Sequence, residues 1–422
     1  MQGRRSYACA REAVVTEGPE AGTEGPEAGG KAAHGSRAAP AAAGHGAAAP
    51  EPLAPDFGGR CLTEVVPALL GQLEPDRAPD RPPWLPVPLA GARQIVLLVL
   101  DGLGARQLEQ RPGLAPVLAS GSGTTLTSVA PSTTAAALTS LTTGLPPAAH
   151  GTVGYRVAVG ERILNVLTWR LAERDGRRDV PARRFQPFPA FSGASSTPVV
   201  SRQEYGATGF TASHLGDAVL HGWYTSSGLA VEVRRALAAG EPFVYAYYDG
   251  VDRTAHARGL GEHYDAELRS VDRLVGDVLE VLPPGAALVV TADHGQVEVG
   301  GSVEVLGPEI IDGVVLLSGE GRFRWLHTRP GAVEDVAAAA RAAYGDVAWV
   351  RTYEEVVDAG WLGGEPTPNV RARLGDVVLA PFTPTAFLDP ADTGEQRLVS
   401  RHGSLTDDEM LVPLLAWQPV TA

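Results

Sequence analysis

Cysteine is nearly absent from this chain: Cys9 and Cys61 are the only two in 422 residues. That excludes a disulfide framework and a thiolate zinc finger. Lysine is scarcer still, with Lys31 alone among 35 basic residues, a skew that fits codon bias in a GC-rich genome. Methionine occurs only at Met1 and Met410. Long apolar runs are missing too. The longest, Ile95–Leu100, falls far short of the roughly 20 residues that span a bilayer, so no transmembrane helix is expected. No apolar segment of signal-peptide type opens the chain, which makes the expected location cytoplasmic. Positive charge is in deficit, with a net charge of −14. A duplex-binding domain normally carries a basic face, so no duplex nucleic-acid partner is expected.

What is present is enough for a core. Hydrophobic residues make up 44% of the chain and charged residues 20%, a globular balance. Residues 1–55 differ from the rest. They are rich in Ala, Gly, Pro and Glu, and repeat TEGPEAG at Thr16–Gly22 and Thr23–Gly29. They show no apolar periodicity, so a disordered tail is expected there. The tail carries five basic residues and six Glu, which leaves −13 for residues 56–422.

From Leu62 onward the pattern is that of an α/β domain. Three apolar runs read as buried parallel strands, each closing on a polar residue: Ile95–Leu100 before Asp101, Phe243–Tyr248 before Asp249, and Ala287–Thr291 before Ala292-Asp293-His294. Between the last two, Glu262–Leu282 has apolar residues mostly three and four apart, which predicts an amphipathic helix. Strand, helix, strand in this order argues for a mostly parallel sheet sandwiched by helices. Ligands of such sheets bind beyond the carboxyl ends of the strands. Residues 152–242 read as an interruption with a hairpin over Tyr155–Thr168. Residues 312–390 read as a small inserted α+β cap, with strands near Gly321–His327 and Val347–Tyr353 around a helix at Val333–Tyr344. The expected organisation is therefore a tail followed by one catalytic domain, 56–422.

Metal-type donors gather beside glycines and strand ends. Asp101-Gly102 follows the first strand. Asp252 and His256 lie four apart, which a helix would bring onto one face. Asp293 and His294 are adjacent, so one loop can offer both, and His402-Gly403 comes late in the chain. Neutral His and Asp together suit Zn²⁺. Each piece alone has an ordinary reading as a helix cap, a turn residue or a packed histidine; their order and spacing together are specific.

With Pro131-Ser132-Thr133-Thr134, Thr143-Gly144 and His150-Gly151 added, the chain resembles the alkaline phosphatase superfamily. The likeness is greatest to its nucleotide pyrophosphatase/phosphodiesterase branch, over about Ile95 to Leu415. The resemblance implies an alkaline-phosphatase-like fold and two divalent ions, most simply Zn²⁺. One is held by Asp252, His256 and His402, the other by Asp101, Asp293, His294 and the Thr134 oxygen. It also implies that Thr134, in preference to Thr133, is the nucleophile and passes through a phosphothreonine intermediate. A metal would activate that otherwise poor nucleophile, and two metals roughly 4 Å apart can clamp an in-line phosphoryl displacement.

The branch usually follows its His-Gly with Gly-Asn, whose Asn orients the phosphate; here Gly154-Tyr155 stands in its place. The Tyr155 hydroxyl or the Ala135 amide is then a candidate replacement, with core packing the alternative for Tyr155. Asn165 and Trp169 are candidate pocket residues, with packing again the alternative. His150 reads as structural. The arginines of Arg174–Arg184, near Phe185 and Phe188, read as a solvated loop in preference to a nucleotide site. The expected activity is hydrolysis of a phosphodiester or pyrophosphate, on a small phosphate ester such as a nucleotide. The alternatives are a phosphomonoesterase on the same scaffold and a degenerate, non-catalytic metal-binding member. The oligomeric state is open.

Overall fold

The computed structural model describes residues 49–74, 81–172, 174–194 and 196–418. Its centre is a seven-stranded sheet whose strands are, in chain order, β1 (Gln94–Leu100), β2 (Ser122–Thr127), β3 (Pro198–Arg202), β4 (Val219–Trp223), β5 (Phe243–Tyr248), β6 (Ala286–Thr291) and β7 (Leu411–Trp417). Their spatial order is β2-β7-β6-β1-β5-β3-β4. The run from β6 to β4 is parallel, while β7 is antiparallel to both of its neighbours. β1 pairs with β6 and β5 along most of its length, so Val99 lies beside Thr291 and Leu100 beside Tyr248. The apolar runs of β1, β5 and β6 are buried throughout, apart from Gln94. A central parallel strand has both faces covered, so it can carry β-branched and aliphatic residues at every position.

Two strands come from the stretch read as an interruption. Pro198–Arg202 and Val219–Trp223 complete one side of the sheet. β4 carries little signal in the sequence, because a half-exposed edge strand needs no continuous apolar run.

The helix Glu262–Glu280 buries Tyr264, Leu268, Val271, Leu274, Val275 and Val278, the face its spacing predicts. Within 312–390 stands a separate antiparallel sheet, ordered Val314–Glu320, Phe323–Thr328, Val377–Pro381, Ala348–Thr352. The helix Val333–Tyr344 packs on it through Val336, Ala337 and Ala340, around a second, smaller core.

Of the stretch 1–55, the described part begins at Ala49. There the Leu53 amide donates to the Leu405 carbonyl at 2.9 Å, and the Trp349 indole donates to the Pro50 carbonyl at 2.7 Å. Residues 1–48, on which most of the expected tail falls, lie outside the described residues. Among the described residues no helix is long and apolar enough to cross a membrane.

Candidate metal centre

The carboxyl ends of three neighbouring strands converge. Asp101 follows β1, Asp249-Gly250 follows β5 and Asp293-His294 comes just after β6. The helix Gly250–Arg258 starts at the β5 end and carries Asp252 and His256 one turn apart. Its position is fixed by the Asp252 amide, which donates to the Asp101 carbonyl at 3.0 Å. Gly102 adopts a left-handed backbone (φ 74°). A side chain there would meet the Asp252 backbone at 3.0 Å and the Gln296 amide at 2.8 Å, so glycine lets the two loops close.

The six acidic and histidine residues named from the sequence fall into two triads, Asp101/Asp293/His294 and Asp252/His256/His402. Within each triad the candidate ligand atoms lie within 4.8 Å of one another. In the first, His294 Nε2 is 3.4 Å from both Asp101 Oδ1 and Asp293 Oδ2. In the second, Asp252 Oδ1 is 3.2 Å from His256 Nε2 and 3.7 Å from His402 Nε2. The His294 and His402 rings stack with centroids 3.5 Å apart, which joins the triads.

All three imidazoles are held the same way. Nδ1 of His294 faces the Gly295 carbonyl at 3.0 Å, that of His256 the Ser400 carbonyl at 2.7 Å and that of His402 the Ser132 carbonyl at 2.9 Å. A carbonyl only accepts, so each Nδ1 carries the proton and each Nε2 presents a lone pair to the site. Such outer contacts are how metal-ligating histidines are oriented.

The electrostatics call for a cation. Asp101 is buried, and burial with the Asp293 and Asp252 carboxylates pushes its pKa well above the ordinary range. Burial raises Asp293 as well. Asp101 Oδ1 and Asp293 Oδ2 are buried and accept no hydrogen bond. Burial and the neighbouring His294 and His256 rings hold His402 well below its usual value, which favours the neutral imidazole. Like charges crowded without water are unfavourable, and an ion bound between them would relieve this. The donors fit a divalent cation in each triad.

Thr134 is the first residue of the helix Thr134–Thr143. Its hydroxyl lies 3.1 Å from His294 Nε2. The helix is buried along nearly its whole length, and its threonines stay satisfied by donating back along the helix: Thr139 to Ala135, Thr142 to Leu138 and Thr143 to Thr139. Thr133 occupies the N-cap position but makes no side-chain cap bond, so its hydroxyl does not block the first-turn amides. His150 is buried; it accepts from the Thr152 amide, leaving Nε2–H to donate to Ser140. Burial and Arg373 push it down to about 3, which fits its structural reading.

Beside Thr134 opens a cavity of about 430 Å³. Leu138, Leu167, Phe210, Leu215 and Tyr205 give it an apolar wall, and among the described residues Arg253 is the one Lys or Arg in its lining. Tyr155, Asn165 and Trp169 do not line it. The Asn165 side chain caps a turn by accepting the Thr168 amide, and Trp169 is buried, donating to the Val180 carbonyl and packing edge-on against Phe185. The Tyr155 amide faces Glu320. Leu167 and Thr168, within the same sequence region, do reach the cavity.

Several supporting residues carry no mark in the sequence. The Gln296 amide donates to Asp252 Oδ1 at 2.6 Å and accepts from Ser400 at 2.9 Å. Tyr247 donates to Asp101. Asp249, at the β5 end, receives Arg202 on both oxygens and Tyr205 on one. The strand-end position of Asp249 is legible in the sequence; its use as a structural anchor depends on Arg202 ending the neighbouring β3.

The family model for type I phosphodiesterase/nucleotide pyrophosphatase matches residues 95–405. The chain belongs to this family. The family lies in the alkaline phosphatase superfamily, and the chain is a phosphoester hydrolase of a metal-dependent family. No curated protein matches the chain. Among solved structures, it is similar to the murine ectonucleotide pyrophosphatase/phosphodiesterase 5, at 15% identity over 76% of this chain and 87% of that one, with a TM-score of 0.59. The human form is similar at 15% identity over 77% and 88%, also with a TM-score of 0.59. A phosphonoacetate hydrolase from Sinorhizobium meliloti 1021, in complex with phosphonoformate, is similar at 19% identity over 79% and 90%, with a TM-score of 0.55. At these identities the likeness is one of fold, and it agrees with the mostly parallel, helix-flanked sheet expected from the sequence.

Proposed function

We propose that this family member uses two zinc ions and the Thr134 nucleophile to hydrolyse phosphodiester or pyrophosphate bonds of nucleotide-like substrates. The observation that carries this reading is the common orientation of three imidazoles, each Nδ1–H fixed on a carbonyl and each Nε2 facing buried carboxylates or Thr134. Asp252, His256 and His402 would hold one ion, and Asp101, Asp293, His294 and the Thr134 oxygen the other. Bound there, the ions would favour the ionised form of an oxygen nucleophile and neutralise charge on the phosphoryl group.

The chain's own groups account for the rest. Thr134 Oγ1 attacks phosphorus in line, the leaving-group oxygen departs, and the retained ester stays on Thr134. Water then cleaves the Thr134–phosphorus bond and restores the hydroxyl. The first-turn amides of the Thr134–Thr143 helix, Ala135 among them, face the developing negative charge, as helix N-termini do for phosphate. The apolar wall of the adjoining cavity receives the organic part of the substrate. An inactive variant of the murine relative was solved in complex with AMP, which supports a nucleotide in that role. The 312–390 stretch serves as a cap. It meets the catalytic side through Glu320 at the Tyr155 amide and through Arg373, which donates to the Gly151 carbonyl at 2.6 Å.

The test compares initial rates on bis-nitrophenyl phosphate, a nitrophenyl ester of a nucleoside 5′-monophosphate and nitrophenyl phosphate. The two diesters are expected to be the better substrates. A preference for the monoester by more than about tenfold would overturn the diesterase reading in favour of a phosphomonoesterase.

A further inference from the structure

Arg322 lies in the turn between the first two strands of the small sheet, far in sequence from any candidate ligand, and is fully buried. Its guanidinium meets Glu409, also fully buried, in a two-pronged ion pair, Nε to Oε1 at 2.7 Å and Nη2 to Oε2 at 2.8 Å. The remaining donors reach the carbonyls of Thr383 (2.8 Å), Thr385 (2.7 Å) and Pro381 (3.1 Å). All five guanidinium N–H groups are therefore used.

Glu409 is equally committed. Oε1 accepts the Ser404 amide at 2.9 Å and Oε2 the Thr406 hydroxyl at 2.6 Å. Its backbone carbonyl accepts the Gly295 amide at 2.8 Å. Ser404 sits two residues after His402, and Gly295 directly follows His294. From Ser404 the connections continue: its hydroxyl donates to the Pro381 carbonyl at 2.6 Å, and its carbonyl accepts the Ser132 hydroxyl at 2.7 Å. Ser132 also donates its amide to the Gly403 carbonyl and offers its own carbonyl to His402 Nδ1. One buried ion pair thus ties together the loops that carry His294, His402 and Thr134, and ties all three to the small sheet.

We propose that Arg322 and Glu409 are positioning residues for the metal centre, and that the join between the small sheet and the catalytic loops sets the affinity of the site for its metals. The inference rests on the two-metal reading above. A buried ion pair is a poor source of net stability, because desolvation offsets much of the attraction. Its value here is geometric: a fork-to-carboxylate pair fixes distance and angle at both ends. Loosening it lets His294 Nε2 and His402 Nε2 drift from their carboxylate partners.

The experiment uses the full chain stripped of metal. Zn²⁺ binding is titrated calorimetrically for wild type, Glu409→Gln and Arg322→Lys, and the melting temperature of each metal-free protein is measured beside it. Metal binding is expected to weaken about tenfold or more in both variants, the range typical of lost outer-shell contacts. A purely structural pair would lower the metal-free melting temperature and leave the dissociation constants unchanged, and constants within twofold of wild type would overturn the proposal. Should Glu409→Gln fail to fold, the Arg322→Lys titration decides by the same criterion, and failure of both to fold would assign the pair to folding and refute the proposal. A wild-type chain that binds no Zn²⁺ would instead refute the metal reading itself.

Discussion

Glu320 ends the strand Val314–Glu320 with one carboxylate oxygen facing the Tyr155 amide and the other buried without a hydrogen bond. Burial, followed by the neighbouring Glu395, pushes its pKa well above that of a free carboxyl. A carboxyl with a raised pKa in the folded state contributes stability that is complete below its unfolded pKa and is lost as pH rises through the folded pKa. Glu320→Gln removes the ionisation and keeps an acceptor for Tyr155. Its melting temperature is therefore expected to track wild type near pH 4 and to exceed it increasingly toward pH 8. Parallel curves for the two proteins across that range would contradict a buried, proton-retaining Glu320. The same residue shows where sequence reading stops. Asp101, Asp293 and His294 are legible because each closes an apolar strand run. Glu320, Gln296 and Glu409 are not, because each owes its role to a partner distant in sequence, Arg322 to Glu409 being the clearest case.

At the scale of elements, the site is made by strand ends and three helices, Thr134–Thr143, Gly250–Arg258 and Gly209–His214. The Gly250–Arg258 helix fulfils the four-residue spacing of Asp252 and His256, which are 3.2 Å apart. The helix Gly209–His214 supplies Phe210 and His214, whose rings stack 4.0 Å apart and line the cavity. Nothing in the local sequence marks this helix as part of the site, since it reaches Thr134 only through the fold. Burying a Phe-sized group is worth about 1.5–3 kcal/mol. Phe210→Ala is accordingly expected to raise KM for nitrophenyl diesters by roughly tenfold or more, with a smaller change in kcat. An unchanged KM would remove this wall from the substrate site. The strands are legible in the sequence where burial is two-sided, as in β1, β5 and β6. The half-exposed edge strand β4 is not, because an edge strand needs less continuous apolar sequence.

For the whole molecule, the deficit of basic residues takes on a definite meaning. The chain carries −14, and among the described residues Arg253 is the one Lys or Arg lining the cavity beside Thr134. A phosphate needs positive potential, and the two triads, one of which holds two buried carboxylate oxygens with no hydrogen bond, are where bound cations would supply it. The architecture follows the family closely enough to be matched across residues 95–405 while the solved relatives share only 15–19% identity. What is shared with them at that distance is the fold. We propose that Thr134 acts together with bound metal ions. Wild type and Thr134→Ala are compared by turnover of a nitrophenyl ester of a nucleoside 5′-monophosphate, with metal content measured on the same samples. The expected result is a loss of at least about a thousandfold in kcat with both metals largely retained. Full activity in Thr134→Ala would contradict it.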